Sequence, residues 1–171
     1  MPAEIGHVAL LLALAVACLQ SVLPLVGAQR GDARLMAFAR PAALAQLALV
    51  ALAFALLTWC YVVSDFSVAN VFQNSHTAKP MLYKVTGVWG NHEGSLLLWV
   101  LILALFGAAV AAFGRNLPPP LAARALAVQA MIAAAFLAFM AFTSNPFERL
   151  DPVPAEGRDL NPILQDPGLA F

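Results

Sequence analysis

The chain has 171 residues, 62% of them apolar and 11% charged, with a mean hydropathy of +0.82 and nine basic residues balanced by nine acidic ones. Soluble domains are about half apolar and about a quarter charged, so this composition excludes an ordinary water-soluble domain and points to a membrane protein. Zero net charge offers no basic surface for nucleic acid.

Residues 1–28 hold the first apolar run, at about 6–28, in which His7 and Cys18 are the only ionisable side chains between Glu4 and Arg30. A helix needs about 20 apolar residues to cross the hydrocarbon core, so the run is long enough to span. No Lys or Arg precedes it, which argues against a signal peptide and for a retained span. Pro24 is expected to kink it near one end. Cys18 and Cys60 form neither a CxxC pair nor a metal spacing and read as buried apolar thiols.

Residues 29–40 form a short loop with Arg30, Arg34 and Arg40 against Asp32. The second span is 41–63, opened by Pro41, a residue suited to a first helical position; Trp59 and Tyr61 near its far end read as interfacial anchors. Residues 64–93 are polar and irregular, with Ser64-Asp65 a candidate cap for a short helix. After Pro80, helical spacing puts Met81, Leu82, Val85, Val88 and Trp89 on one face and Tyr83, Lys84 and Thr86 on the other, the pattern of a short helix lying in the interface.

The third span is 94–114, with Glu93 favoured at the positive end of its helix dipole and Gly94-Ser95 offered as turn and cap. Residues 115–121 contain three successive prolines and make a stiff short loop. The fourth span is 122–143. Residues 144–171 hold five prolines and most of the acidic residues, read as an extended, turn-rich segment outside the bilayer. Its apolar end, Leu169-Ala170-Phe171, reads as a truncation.

The expected fold is therefore all-α: a polytopic membrane protein fragment with four transmembrane helices and two outer-face loops. The two short loops, with Arg124 just inside the fourth span, carry five arginines, and the two longer segments carry four basic residues over more than twice the length. The positive-inside rule then places the short loops in the cytoplasm and both ends of the chain outside. His7, His76 and His92 fall at or near that outer face.

Chemistry concentrates around Trp89-Gly90-Asn91-His92-Glu93-Gly94-Ser95-Leu96-Leu97-Leu98-Trp99. His92 beside Glu93 joins a possible metal or haem ligand to an orienting carboxylate; more simply, it is a solvated histidine at a helix start. Trp89 and Trp99 form either an aromatic platform for a flat ligand or part of an interfacial belt. Trp89, His92, Glu93 and Trp99 are thus the haem- or partner-facing candidates. No catalytic residue and no metal site is assigned, because no Ser-His-Asp set, P-loop or paired-carboxylate spacing occurs. The small residues Ala9, Ala13 and Ala17, Gly107 and Ala111, and Ala123 and Ala127 recur every fourth position, as in closely packed membrane helices.

Several stretches together resemble the N-terminal part of one family. They are Ile5-Gly6-His7, Ser64-Asp65-Phe66-Ser67-Val68, Gln73-Asn74-Ser75, the segment from Trp89 to Trp99, Ser144-Asn145-Pro146-Phe147, and the long motif from Gly157 through Gln165-Asp166-Pro167-Gly168. Their order is similar to that of the F-type cytochrome c maturation proteins, CcmF-type haem lyase subunits. The resemblance implies a multi-pass protein of the bacterial inner membrane that takes haem from a haem chaperone and joins it to apocytochrome c, together with other cytochrome c maturation subunits. It also implies that the haem-ligating histidines lie beyond Phe171, in the rest of a longer gene or on a second chain. These residues would then serve as scaffold, set in membrane lipid, without catalysing attachment alone. The alternatives are part of a channel or permease, motivated by the helix bundle only, and a structural partner-binding subunit.

Overall fold

The computed structural model describes residues 1–165 and Gly168, with the side chains of Ile163 and Leu164 left out. Seven α-helices run in chain order among the described residues: α1 Pro2–Arg30, α2 Ala33–Ala37, α3 Ala39–Val62, α4 Ala69–Asn74, α5 Met81–Thr86, α6 His92–Phe113 and α7 Pro119–Phe142. Single 3₁₀ turns occupy Gly114–Asn116 and Pro162–Gln165. Four helical stretches, Pro2–Arg30, Ala33–Val62, His92–Asn116 and Pro119–Phe142, are long and apolar enough to cross a membrane.

α1 has Pro at its first position and Glu4 in its first turn, then runs through Pro24 to Gly31, which takes a left-handed φ of +72°. Asp32 follows as the cap of α2, its Oδ1 accepting from the backbone N–H of Arg34 at 2.9 Å and of Leu35 at 3.3 Å. Gly27 lets α2 fold back on α1, since a Cβ there would lie 2.7 Å from Leu35 Cβ. α3 begins at Ala39, so Pro41 is third in the helix rather than first. It is tolerated because the first turn's N–H groups have no intrahelical acceptor.

The long helices form a ring in the order α1, α3, α6, α7, with α1 packed against both α3 and α7. Small residues face inward. Ala9, Ala13, Ala17, Ala53, Ala127 and Ala133 are all buried, whereas Leu12, Leu19, Leu52, Phe106 and Phe113 point outward. Leu10, Val50, Leu57, Leu97, Leu137 and Met140 fill the core between them. Cys60 is buried, but Cys18 is exposed, contrary to its reading as a buried thiol, because it follows Ala17 around the helix onto the outward face.

The segment after α3 and the segment after α7 fold together at one end of the bundle. Asp65 does not cap a helix directly; its Oδ1 accepts from Ser67 N–H at 3.2 Å, and α4 starts later, at Ala69. The Ala69 N–H is satisfied instead by the Glu148 carbonyl at 2.8 Å, while Leu150 N–H donates to Ser67 O at 2.8 Å. Arg149 bridges Glu4 at 2.5 Å and Asp65 at 3.4 Å. Farther along, Arg158 N–H donates to Phe72 O at 2.7 Å, with its guanidinium 5.2 Å from the Phe72 ring centre. α5 forms as a short helix, yet its pattern sorts differently from the expected faces: Met81 and Leu82 are exposed, while Lys84 and Thr86 are buried. Lys84 Nζ donates inward to Ser64 Oγ at 2.7 Å, which draws the polar side of the helix onto the protein.

A latch of charged groups closes this assembly. Lys79, its side chain almost wholly buried, sits 3.0 Å from Asp159 and donates to Asn74 O at 3.0 Å. Glu156 accepts from Thr77 Oγ1 at 2.5 Å and from Thr77 N–H at 3.0 Å. The Thr77 hydroxyl and then the Gly157 N–H hold the Glu156 carboxyl down at about 2 from its ordinary 4.5. Burial raises that of Asp159, but the Lys79 ammonium and the Leu160 N–H outweigh it, so its pKa also lies below the ordinary 3.8. A carboxylate with a depressed folded-state pKa stabilises fully above its unfolded pKa and loses that contribution as pH falls through the folded value. Amide-exchange protection at Thr77 and Asp159, corrected for intrinsic rates, should therefore hold from pH 7 to about 5 and decline between about 4 and 2. Glu156→Gln should flatten that decline. Equal protection at pH 5 and pH 2 in the parent chain would refute the latch.

Candidate functional site

The residues around Trp89 reach the surface through the turn that joins α5 to α6. Gly87 N–H donates to Tyr83 O at 3.0 Å and Gly90 N–H to Gly87 O at 3.2 Å, so the chain stays coiled as it leaves α5. α6 then starts at His92, two residues earlier than the expected span. Its cap is Asn91, whose Oδ1 accepts from Gly94 N–H at 2.8 Å. Ser95 is not the cap; its hydroxyl donates to Trp89 O at 2.6 Å and ties the turn to the helix.

Asn91 also lies in a buried polar network. Its Nδ2 donates to Gly87 O at 2.9 Å and Tyr61 Oη at 3.0 Å, and its Oδ1 accepts from Asn70 Nδ2 at 2.8 Å. Tyr61 Oη, fully buried on α3, donates to Asn70 Oδ1 at 2.6 Å. Asn70 Nδ2 also reaches Glu93 Oε2 at 3.1 Å. Helices α3, α4 and α6 are thereby locked at one level, where an unpaired polar group would cost about 1–3 kcal/mol.

Of the four candidate residues, three share a surface. Trp89, His92 and Trp99 line an open depression of about 420 Å³ together with Gly90, Asn91 and Leu96. His92 is exposed and packs edge-on against Phe139 with ring centres 6.0 Å apart. Trp99, 59% exposed, meets Phe136 edge-on at 6.5 Å. Trp89 is half-buried against the core. Glu93 is not with them. Consecutive helical residues diverge by about 100°, and Glu93 turns inward to Asn70, so it does not orient His92. Tyr61, expected as an interfacial anchor, is instead fully buried because its hydroxyl is held in this network, and neither Asn70 nor Asn91 is among the candidate residues expected from sequence. For Asn91 a signal was present: Asn directly before an apolar run is a helix-start residue. For Tyr61 and Asn70, 21 and more residues away from Asn91, no local pattern announces the contact.

The depression suits contact with a flat apolar ligand or a partner side chain. It does not fit an enclosed haem site. It is open, it presents His92 alone, and no group of three or more potential metal-ligating side chains occurs among the described residues. His7 lies 3.3 Å from Asn145, and His76 lies 3.9 Å from Glu156, each engaged away from this surface.

The stretches that carried the resemblance meet in pairs. Ile5-Gly6-His7 lies against Ser144-Asn145-Pro146-Phe147: a Cβ on Gly6 would press on the Phe147 ring, and His7 faces Asn145. Gln73-Asn74-Ser75 meets the start of the long motif, where Asp159 N–H donates to Ser75 O at 3.1 Å and Gly157 leaves room for that same carbonyl. The remainder of that motif, Asp166 and Pro167, and the terminal Leu169-Ala170-Phe171 lie outside the described residues.

Residues 89–171 match the family described as Cytochrome C assembly protein. Over all of its 171 residues the chain is 67% identical to the cytochrome c-type biogenesis protein ccl1 of Rhodobacter capsulatus, covering 26% of that protein. With the cytochrome c-type biogenesis protein CcmF of Escherichia coli K12 it shares 52% identity over 100% of its length and 27% of the relative's. A solved cytochrome c haem lyase CcmF superposes on 89% of the chain with a TM-score of 0.82 and 34% identity, covering 26% of that structure. The chain thus spans about a quarter of the length of the relatives it matches.

Proposed function

Because the chain belongs to the CcmF-type family of cytochrome c assembly proteins, we propose that it serves the membrane machinery that delivers haem and joins it to apocytochrome c. In this reading the four long helices are a scaffold in the bacterial inner membrane. The arginine-bearing turns face the cytoplasm, and the assembly of residues 64–93 and 144–165 faces the periplasm, with both ends of the chain there. The haem ligands are supplied by residues outside this chain, and the Trp89–Trp99 depression is a docking surface for a haem chaperone, apocytochrome c or another maturation subunit. The observation that carries the proposal is the 67% identity over the whole chain to a cytochrome c-type biogenesis protein. The relatives' names favour it over a channel or permease.

The test is complementation. In a strain lacking the gene, the His92→Ala/Trp99→Ala double variant should restore c-type cytochromes to about a third of the parent's level or less, while accumulating normally in membranes, since exposed substitutions shift stability by only about 0.5 kcal/mol. Wild-type cytochrome yield from the double variant would remove the docking role. Normal c-type cytochromes in the deletion strain itself would remove the assembly role altogether.

A further inference from the structure

At the end of the bundle away from Trp89, α2, the start of α3 and the link from α6 to α7 enclose a second cavity of about 550 Å³. Met36, Leu117, Ala122 and Leu126 give it an apolar lining, and Arg40 and Arg115 also line it, Arg40 reaching the carbonyl of Gly114, the residue before Arg115. The cavity sits where membrane-length helices end, close to the last turn of α6 and the first of α7.

Its charge is uncompensated. Five arginines, at 30, 34, 40, 115 and 124, share this end with a single acid, Asp32, a local net of +4. Asp32 is already engaged by the N–H groups of α2. Among the described residues none of the five arginines has a carboxylate partner, whereas at the opposite end Lys79 pairs with Asp159 and Arg149 with Glu4 and Asp65. Arg40 donates one bond, to Gly114 O at 3.2 Å, and Arg115 is exposed. A guanidinium has five donors in a fork that matches two phosphate oxygens.

We propose that this cavity binds an anionic phospholipid, with the headgroup phosphate between Arg40 and Arg115 and acyl chain against Met36, Leu117 and Leu126. An anionic amphiphile answers both halves of the site. The phosphate takes the free guanidinium donors, and basic pockets between membrane helices are where such headgroups bind. A zwitterionic lipid would carry its ammonium into the net positive field, so the cavity selects against it.

Native mass spectrometry of the whole chain, purified in detergent and exposed to equimolar phosphatidylglycerol and phosphatidylethanolamine, reads this directly. Phosphatidylglycerol adducts should dominate. Arg40→Gln/Arg115→Gln should lower them about tenfold, and Arg30→Gln/Arg34→Gln, which removes equal charge outside the cavity, no more than about twofold. Arg115→Gln alone, whose side chain holds no hydrogen bond among the described residues, should leave the helical circular-dichroism signal intact and still lower retention about threefold. Equal losses in the two double variants, or equal retention of the two lipids, would overturn the proposal. So would displacement of the lipid by millimolar inorganic phosphate, which would assign the cavity to the free anion, or a porphyrin adduct in the lipid's place.

Discussion

Gly94→Ala is expected to destabilise the protein by about 3 kcal/mol or more and to lower its accumulation in membranes severalfold. A Cβ at this position would overlap the carbonyl oxygen of Val88 and come within 3.2 Å of Asn91 Oδ1. The obstacle is backbone held by its own bonds: Val88 O accepts from Asn91 Nδ2 at 3.1 Å, and Val88 is fully buried. The clash can be relieved only by moving α6 away from the turn before it, which would take Trp89 and His92 out of their shared surface. Two other glycines calibrate the effect. At Gly31 nothing lies within 4 Å of a new Cβ, and only the φ of +72° is strained, so Gly31→Ala should cost about 1 kcal/mol. At Gly6 the obstacle is the edge of the buried Phe147 ring, a side chain rather than backbone, and the cost should lie between the two. Thermal unfolding in detergent, followed by helical circular dichroism, ranks the three. A Gly94→Ala protein as stable as the Gly31→Ala protein would show that the turn is not packed as described.

Asn91→Ala should be the next most damaging change, at about 3 kcal/mol. Loss of a helix cap contributes about 1 kcal/mol, and leaving buried partners unsatisfied contributes about 1–3 more. Asn91 accepts from Gly94 N–H and Asn70 while its two amide hydrogens are shared among Gly87 O, Val88 O and Tyr61 Oη, so a single side chain caps α6 and closes the network onto α3 and α4. Asn91→Ser separates the two roles. Serine caps helices nearly as well as asparagine but is too short to span to Tyr61, and it should recover about 1 kcal/mol of the loss. If the serine and alanine variants unfold at the same temperature, the cap contributes nothing. If serine restores the parent's stability, the network contributes nothing.

Sequence and structure part company at the helix starts and at the loops. Pro41 is expected to open a helix and stands third in it; Gly94-Ser95 is expected to cap α6 and Asn91 does so. Asp65 is expected to cap a short helix, and the N–H of Ala69 is met by Glu148 O from the other side of the assembly. In each case more than one local arrangement satisfies the orphan groups of a helix end, and a distant partner selects among them. The candidate surface divides in the same way. Trp89, His92 and Trp99 come together because the spacing of a helix and its preceding turn brings them together, whereas Glu93 leaves them for Asn70, a partner 23 residues earlier.

The amino-acid sequence alone determined that this is an all-helical protein with four membrane-length apolar helices and polar segments gathered at its ends, because hydrophobic length and the placement of charge are properties of the chain itself. It also carried the family, through motifs that need no fold to be read. Which face of each helix turns inward was decided only by the tertiary structure. In helices apolar on every side, polarity does not distinguish core from lipid, and close packing does: Ala13, Ala17 and Ala127 allow the helices to approach, while leucine and phenylalanine are left outside. The joining of residues 64–93 to 144–165, and with it the level at which Trp89, His92 and Trp99 are held, likewise rests on hydrogen bonds between segments some eighty residues apart, a separation that no local pattern encodes.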